Sequence, residues 1–129
     1  MDLQSGLIAL CLEVTQRKVD KIFAYGSNEK HDKSFNAFFE VDGEIKTLGK
    51  MGLPKNLVFQ FLKLGTQDLL KLDEIGAKYN MRVPTELKLY YDVSSGRFDA
   101  DYKYEVVCSE ETGKCADEVF MEWVAEMRG

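Results

Sequence analysis

The feature that most narrows what this chain can fold into is a pair of short segments near its C-terminal end, each alternating apolar and polar residues about a glycine turn. Leu87, Leu89, Tyr91 and Val93 alternate along the first and Phe98, Ala100, Tyr102 and Tyr104 along the second, with Ser94-Ser95-Gly96-Arg97 between them. A period of two lines up one face of a strand, so both segments read as half-buried strands of one hairpin. A two-residue turn at Ser95-Gly96 matches apolar face to apolar face. In that register the polar face sets Asp92 opposite Asp99, Tyr90 opposite Asp101, Lys88 opposite Lys103 and Glu86 opposite Glu105. Three of these pairs oppose like charges, which destabilises an isolated hairpin, so something must compensate.

The remaining elements follow from period and punctuation. Leu3, Leu7, Leu10, Cys11 and Val14 recur at helical spacing and predict an N-terminal helix over 2–16. Asp20 to Gly26 and Phe35 to Val41 are short, aromatic and β-branched, with the charged stretch Ser27 to Ser34 expected as an exposed loop between them. Asp42-Gly43 predicts a tight hairpin turn, with Glu44 to Leu48 returning. Leu57, Val58, Phe61, Leu62, Leu69, Leu72, Ile75 and Tyr79 keep helical phase, which predicts one long helix with Gly65 as its weak joint and Asn80 as its cap. Val119, Phe120, Trp123, Val124 and Met127 share one face of a final helix over 114–128. The order α-β-β-β-α-β-β-α predicts an α+β fold, a mainly antiparallel sheet with helices on one face. At 129 residues the chain has room for a single domain, 1–129, and one core.

Charge separates the two parts of the chain. Residues 1–83 carry twelve Lys/Arg and eleven Asp/Glu, net +1, whereas residues 84–129 carry five and eleven, net −6. A net charge of −5 is a poor match to phosphate backbones, so nucleic acid is not the expected direct ligand. The apolar run Leu7 to Leu12 follows Asp2 instead of a basic segment and lacks a cleavage site, and no stretch reaches the ~18 apolar residues of a membrane span. The expectation is a cytoplasmic protein without membrane contact.

Classes of chemistry find little support. Cys11 sits in the first helix and reads as packing, Cys108 and Cys115 flank a polar loop, and His31 is the single histidine, so neither a four-ligand zinc site nor a Cys-His nucleophile is expected. Clustered carboxylates can hold Mg or Ca, but no EF-hand spacing or phosphate-binding glycine loop is present. No metal, cofactor or enzyme activity is expected. The residues left for function are Tyr90, Asp92, Asp99, Asp101 and Glu105 on the polar face of the last hairpin. Read plainly they are a solvated strand face. Read functionally they dock a basic partner, where charge complementarity speeds association and selects the partner.

The run Thr85-Glu-Leu-Lys-Leu-Tyr-Tyr-Asp-Val-Ser-Ser-Gly96-Arg-Phe-Asp-Ala-Asp-Tyr-Lys-Tyr-Glu105, followed by a helix carrying Trp123, resembles the late hairpin and final helix of the YezG-like immunity proteins. Family members often have a tryptophan just before that hairpin, where this chain has Pro84-Thr85. The resemblance implies a cytoplasmic antitoxin of a polymorphic or contact-dependent toxin system, binding the C-terminal domain of a cognate toxin, often a nuclease. Nuclease domains tend to be basic because they hold phosphate, which gives an acidic inhibitor surface a physical motive. The alternative is a small acidic secretion chaperone for an effector protein.

Overall fold

The computed structural model describes residues 2–29, 32–79, 84–104 and 116–128. In chain order these form α1 (Asp2–Thr15), β1 (Lys21–Glu29), β2 (Asp32–Val41), β3 (Glu44–Thr47), a 3-10 turn (Leu48–Lys50), α2 (Lys55–Tyr79), β4 (Glu86–Asp92), β5 (Phe98–Lys103) and α3 (Ala116–Arg128). The α+β class and the element order are those expected. All neighbouring strands are antiparallel, in the order β3-β2-β1-β4-β5. No helix among the described residues is long and apolar enough to cross a membrane.

The placement of the helices departs from expectation. α1 and α2 cover one face, where Leu7, Cys11, Ile22, Ala24, Phe39, Phe61, Leu69, Leu87 and Leu89 form a buried cluster. α3 lies on the opposite face, where Val119, Phe120, Trp123 and Val124 pack with Phe23, Tyr25 and Phe38. The physical reason is visible in β1 and β2. Ile22-Phe23-Ala24-Tyr25 and Ala37-Phe38-Phe39 are continuous apolar runs, so one face cannot take them all out of water. Phe23 and Phe38 stack with ring centroids 4.5 Å apart, and the Trp123 ring meets both edge-on at 5.8 and 5.0 Å. Such pairs add roughly 0.5–1.5 kcal/mol each beyond the area they bury. Met127, expected on the same stripe, is exposed.

Strand limits also differ. β1 runs to Glu29 and β2 starts at Asp32, so most of the loop expected over Ser27 to Ser34 is ladder. Ser27 and Asn28 are buried, and the Asn28 N–H donates to the Thr85 carbonyl at 2.8 Å, which ties the end of β1 to the entry of β4. The Asp42-Gly43 turn forms as expected, with φ of 52° and 82°, both in the left-handed region that a two-residue type I′ turn requires. Asn80, the expected cap of α2, lies outside the described residues.

α2 is one continuous helix, and Gly65 is not its joint. The Phe35 side chain of β2 lies against the helix at this point, and a Cβ on Gly65 would fall inside its ring. Gly26 serves the same close approach from the sheet side, since a Cβ there would meet Leu69 at 2.9 Å and Leu87 at 3.3 Å. Helix propensity alone would reward Gly65→Ala by about 1 kcal/mol. Overpacking against a rigid ring costs roughly 1–3 kcal/mol or more, so the net change is destabilising. Urea unfolding of Gly65→Ala should show a lower midpoint, and a raised one would refute this account of the helix–sheet contact.

Candidate binding surface

The two faces differ in how far they are covered at the β4–β5 end. On the α3 side, the strand pairing sets residues in rows across the sheet: Phe38, Phe23, Tyr90 and Asp99 in one, and Asn36, Tyr25, Lys88 and Asp101 in the next. A third row runs Ser34, Ser27, Glu86 and Lys103. α3 covers the aromatic parts of the first two rows. Tyr90 closes the aromatic part, its ring 5.4 Å from that of Phe23 and edge-on to it, and beyond it Asp99 and Asp101 are exposed on β5. The strand pairing therefore sets Tyr90, Asp92, Asp99 and Asp101 in one strip on the α3 side of β4 and β5, open at Asp99 and Asp101 and half-buried at Tyr90 and Asp92. Glu105 lies outside the described residues, as do His31, Cys108 and Cys115.

The register of the strip is not the one expected. β4 and β5 pair Glu86 with Lys103, Leu87 with Tyr102, Lys88 with Asp101, Leu89 with Ala100, Tyr90 with Asp99 and Tyr91 with Phe98. The slip is two residues, which keeps every side chain on its expected face but replaces like-charge pairs with opposite ones. It arises at the turn. Four residues, Val93 to Gly96, connect Asp92 and Arg97, the Asp92 N–H donates to the Arg97 carbonyl at 2.9 Å, and Gly96 adopts a φ of 75°. The Asp92 carboxylate accepts from the Ser94 hydroxyl at 3.0 Å, the Ser94 N–H at 3.1 Å and the Ser95 N–H at 3.3 Å. An aspartate that gathers the amides ahead of it nucleates a longer turn than a bare Ser-Gly pair would. The Ser95 amide and then the Ser94 hydroxyl hold the Asp92 carboxyl below its ordinary pKa, with a smaller contribution from Lys21.

Glu86 is the residue that sequence reasoning missed. Its side chain is only 1% exposed, yet it carries a carboxylate. The Tyr25 hydroxyl donates to Oε2 at 3.0 Å, and the ammonium groups of Lys103 and Lys88 lie 3.7 and 4.0 Å from Oε1. Lys88 also sits over the Trp123 ring, 5.4 Å from its centroid, joining the cluster to α3. A buried carboxylate persists only where partners replace water. The only signal available in advance was its row position, and the expected register had placed Glu86 against Glu105.

The consequence for the open strip is a redistribution of charge. Lys88 and Lys103, the two lysines of the hairpin, lie against Glu86, with side-chain exposures of 22% and 42%. Asp101, although directly opposite Lys88, remains exposed at the surface. Asp99 meets the exposed Arg97 guanidinium at 3.1 Å, a contact worth little in water. The outer strand thus keeps its carboxylates while its lysines serve the interior. Among the described residues no group of three His, Cys, Asp or Glu side chains could hold a metal ion. Cys11 is buried, and its desolvation pushes the thiol pKa far up, which leaves it inert.

No protein-family model and no curated protein matches the chain.

Two measurements check this geometry. Glu86→Gln keeps an acceptor for Tyr25 and loses the charge, whereas Glu86→Ala loses both. Breaking a fully buried pair costs roughly 3–5 kcal/mol; here both lysines can turn back to water, so Glu86→Ala should cost about 2–3 kcal/mol with Glu86→Gln between it and wild type. Asp92 gives a pH signature. Because its carboxyl pKa is lowered on folding, the stability it contributes is complete above the ordinary aspartate range, about 4, and is lost as pH falls through the lower folded value. Asp92→Asn should remove that part of the acid dependence of the unfolding midpoint, and an unchanged profile would refute the role of the carboxylate in the turn.

Proposed function

We propose that this chain is a non-enzymatic immunity protein that neutralises a cognate bacterial toxin in the cytoplasm by stoichiometric binding to its basic, phosphate-handling C-terminal domain. The observation that carries this reading is the exposed acidic edge. Among the described residues β5 is an edge of the sheet, Asp99 and Asp101 stand side by side on its α3 side, and Lys88 and Lys103 are engaged with buried Glu86. A field of one sign raises the encounter rate with an oppositely charged domain and discourages acidic partners. The resemblance of the last hairpin and helix to YezG-like immunity proteins supplies the class of partner, and the toxin's nuclease chemistry supplies the reason for its basic surface.

The direct test co-expresses the toxin domain encoded beside this chain. Restored growth and co-purification of the two proteins are the expected result. No rescue together with a neighbouring secreted effector kept in solution by this protein would overturn it in favour of the chaperone reading. Asp92 is unsuitable for locating the surface, because its carboxylate holds the turn. Asp99→Asn with Asp101→Asn removes both charges without setting a new cation beside Lys88 or Lys103, and should slow association with the toxin domain by about threefold at low salt with little change in the urea midpoint. An unchanged association rate in the folded double variant would remove β5 from the interface.

A further inference from the structure

We propose that β5 binds its partner by strand addition, accepting an extended segment that alternates basic and apolar residues; this rests on the inhibitor reading for the partner's identity but not for the chemistry of the edge. Among the described residues the two edges of the sheet, β3 and β5, are unequal. β3 has four residues, packs Ile45 under α3 and ends at once in the 3-10 turn. β5 has six residues, of which Phe98 to Asp101 are exposed.

The direction of its backbone groups follows from the ladder. The Asp92 N–H donates to the Arg97 carbonyl, so alternate residues from Arg97, including Asp99 and Asp101, turn their backbone groups toward β4. Phe98 and Ala100 therefore turn theirs outward, in the arrangement that an added strand completes. Side chains set what that strand must carry. Residues directly opposite share a face, so partner positions facing Asp99 and Asp101 meet carboxylates and suit Lys or Arg. Positions facing Phe98, which is 41% exposed, and Ala100 suit apolar residues. A second copy of this chain is the poorer occupant. Two-fold pairing centred on Asp99, Ala100 or Asp101 sets carboxylate against carboxylate, which like-charge repulsion disfavours.

The test uses the full chain and a fluorescent peptide of alternating valine and lysine, with a peptide of the same composition arranged in two blocks as control. The alternating peptide should bind about tenfold more tightly and slow hydrogen exchange at the Phe98 and Ala100 amides. Ala100→Pro deletes one outward N–H without touching the β4 ladder, as proline permits on an edge strand, and should weaken binding about tenfold. Should that variant fail to fold, Asp99→Asn with Asp101→Asn should weaken binding and flatten its salt dependence. Equal binding of the block peptide, no protection of the two amides, or protection of them by self-association without peptide would each overturn the proposal. Growth rescue by wild type and Ala100→Pro alike would discard strand addition and keep the inhibitor reading. Peptide protection of the edge without toxin rescue would do the reverse.

Discussion

Strand β1 is paired along both edges and covered on both faces, and the rest of the structure is arranged around that fact. Its even-numbered residues Ile22, Ala24 and Gly26 meet α1 and α2, while Phe23 and Tyr25 meet α3. A strand that exposes no face to water must have every neighbour in place before its burial is complete, which ties the helices on opposite sides to one ladder. The small residues Ala24, Ala37 and Gly26 let the first pair of helices approach closely, and the large rings of Phe23 and Phe38 fill the second layer under a single short helix. The same sheet is thus thin on one side and thick on the other.

Glu86 extends this arrangement toward the surface. Its burial places a negative charge at the junction of β1, β4 and β5, and the two lysines drawn to it fix the hairpin's register as well as its charge. A slip by two residues would return Lys103 to Lys88 and leave the carboxylate without one of its cations. The electrostatics of the exposed edge are in this sense set from inside the fold, because the two lysines of the hairpin, one of them directly opposite Asp101, are committed to Glu86. Asp92 reinforces the choice from the other end by fixing the length of the turn.

Much of this was legible in the sequence, and the failures have particular causes. Element types and order follow from periodicity, and the Asp42-Gly43 turn from the tolerance of its residues for positive φ. The faces of β4 and β5 were legible too, since a slip of two residues leaves them unchanged. The register itself was not, because the assumed Ser95-Gly96 turn ignored the capacity of Asp92 to gather three donors ahead of it. The position of α3 was misjudged although the signal was present: Ile22-Phe23-Ala24-Tyr25 does not alternate, and a run of that kind asks for cover on both sides. Gly65 looked like a weak point in a helix because its reason, the Phe35 ring, lies thirty residues away in sequence and cannot be seen from local pattern. The buried role of Glu86 depended on the register and was lost with it.

The chain holds one tryptophan, and its surroundings make it a reporter of a single joint. Trp123 touches Phe23 and Phe38 of the sheet and lies beneath the Lys88 ammonium, all on the α3 side. A positive charge beside an indole shifts its emission, and loss of the aromatic neighbours exposes it to water. Intrinsic fluorescence therefore follows the docking of α3 and the ionic state of the Glu86 cluster while remaining blind to α1 and α2, so any gap between its unfolding curve and that of helical circular dichroism would measure how independently the two layers come away from their shared sheet.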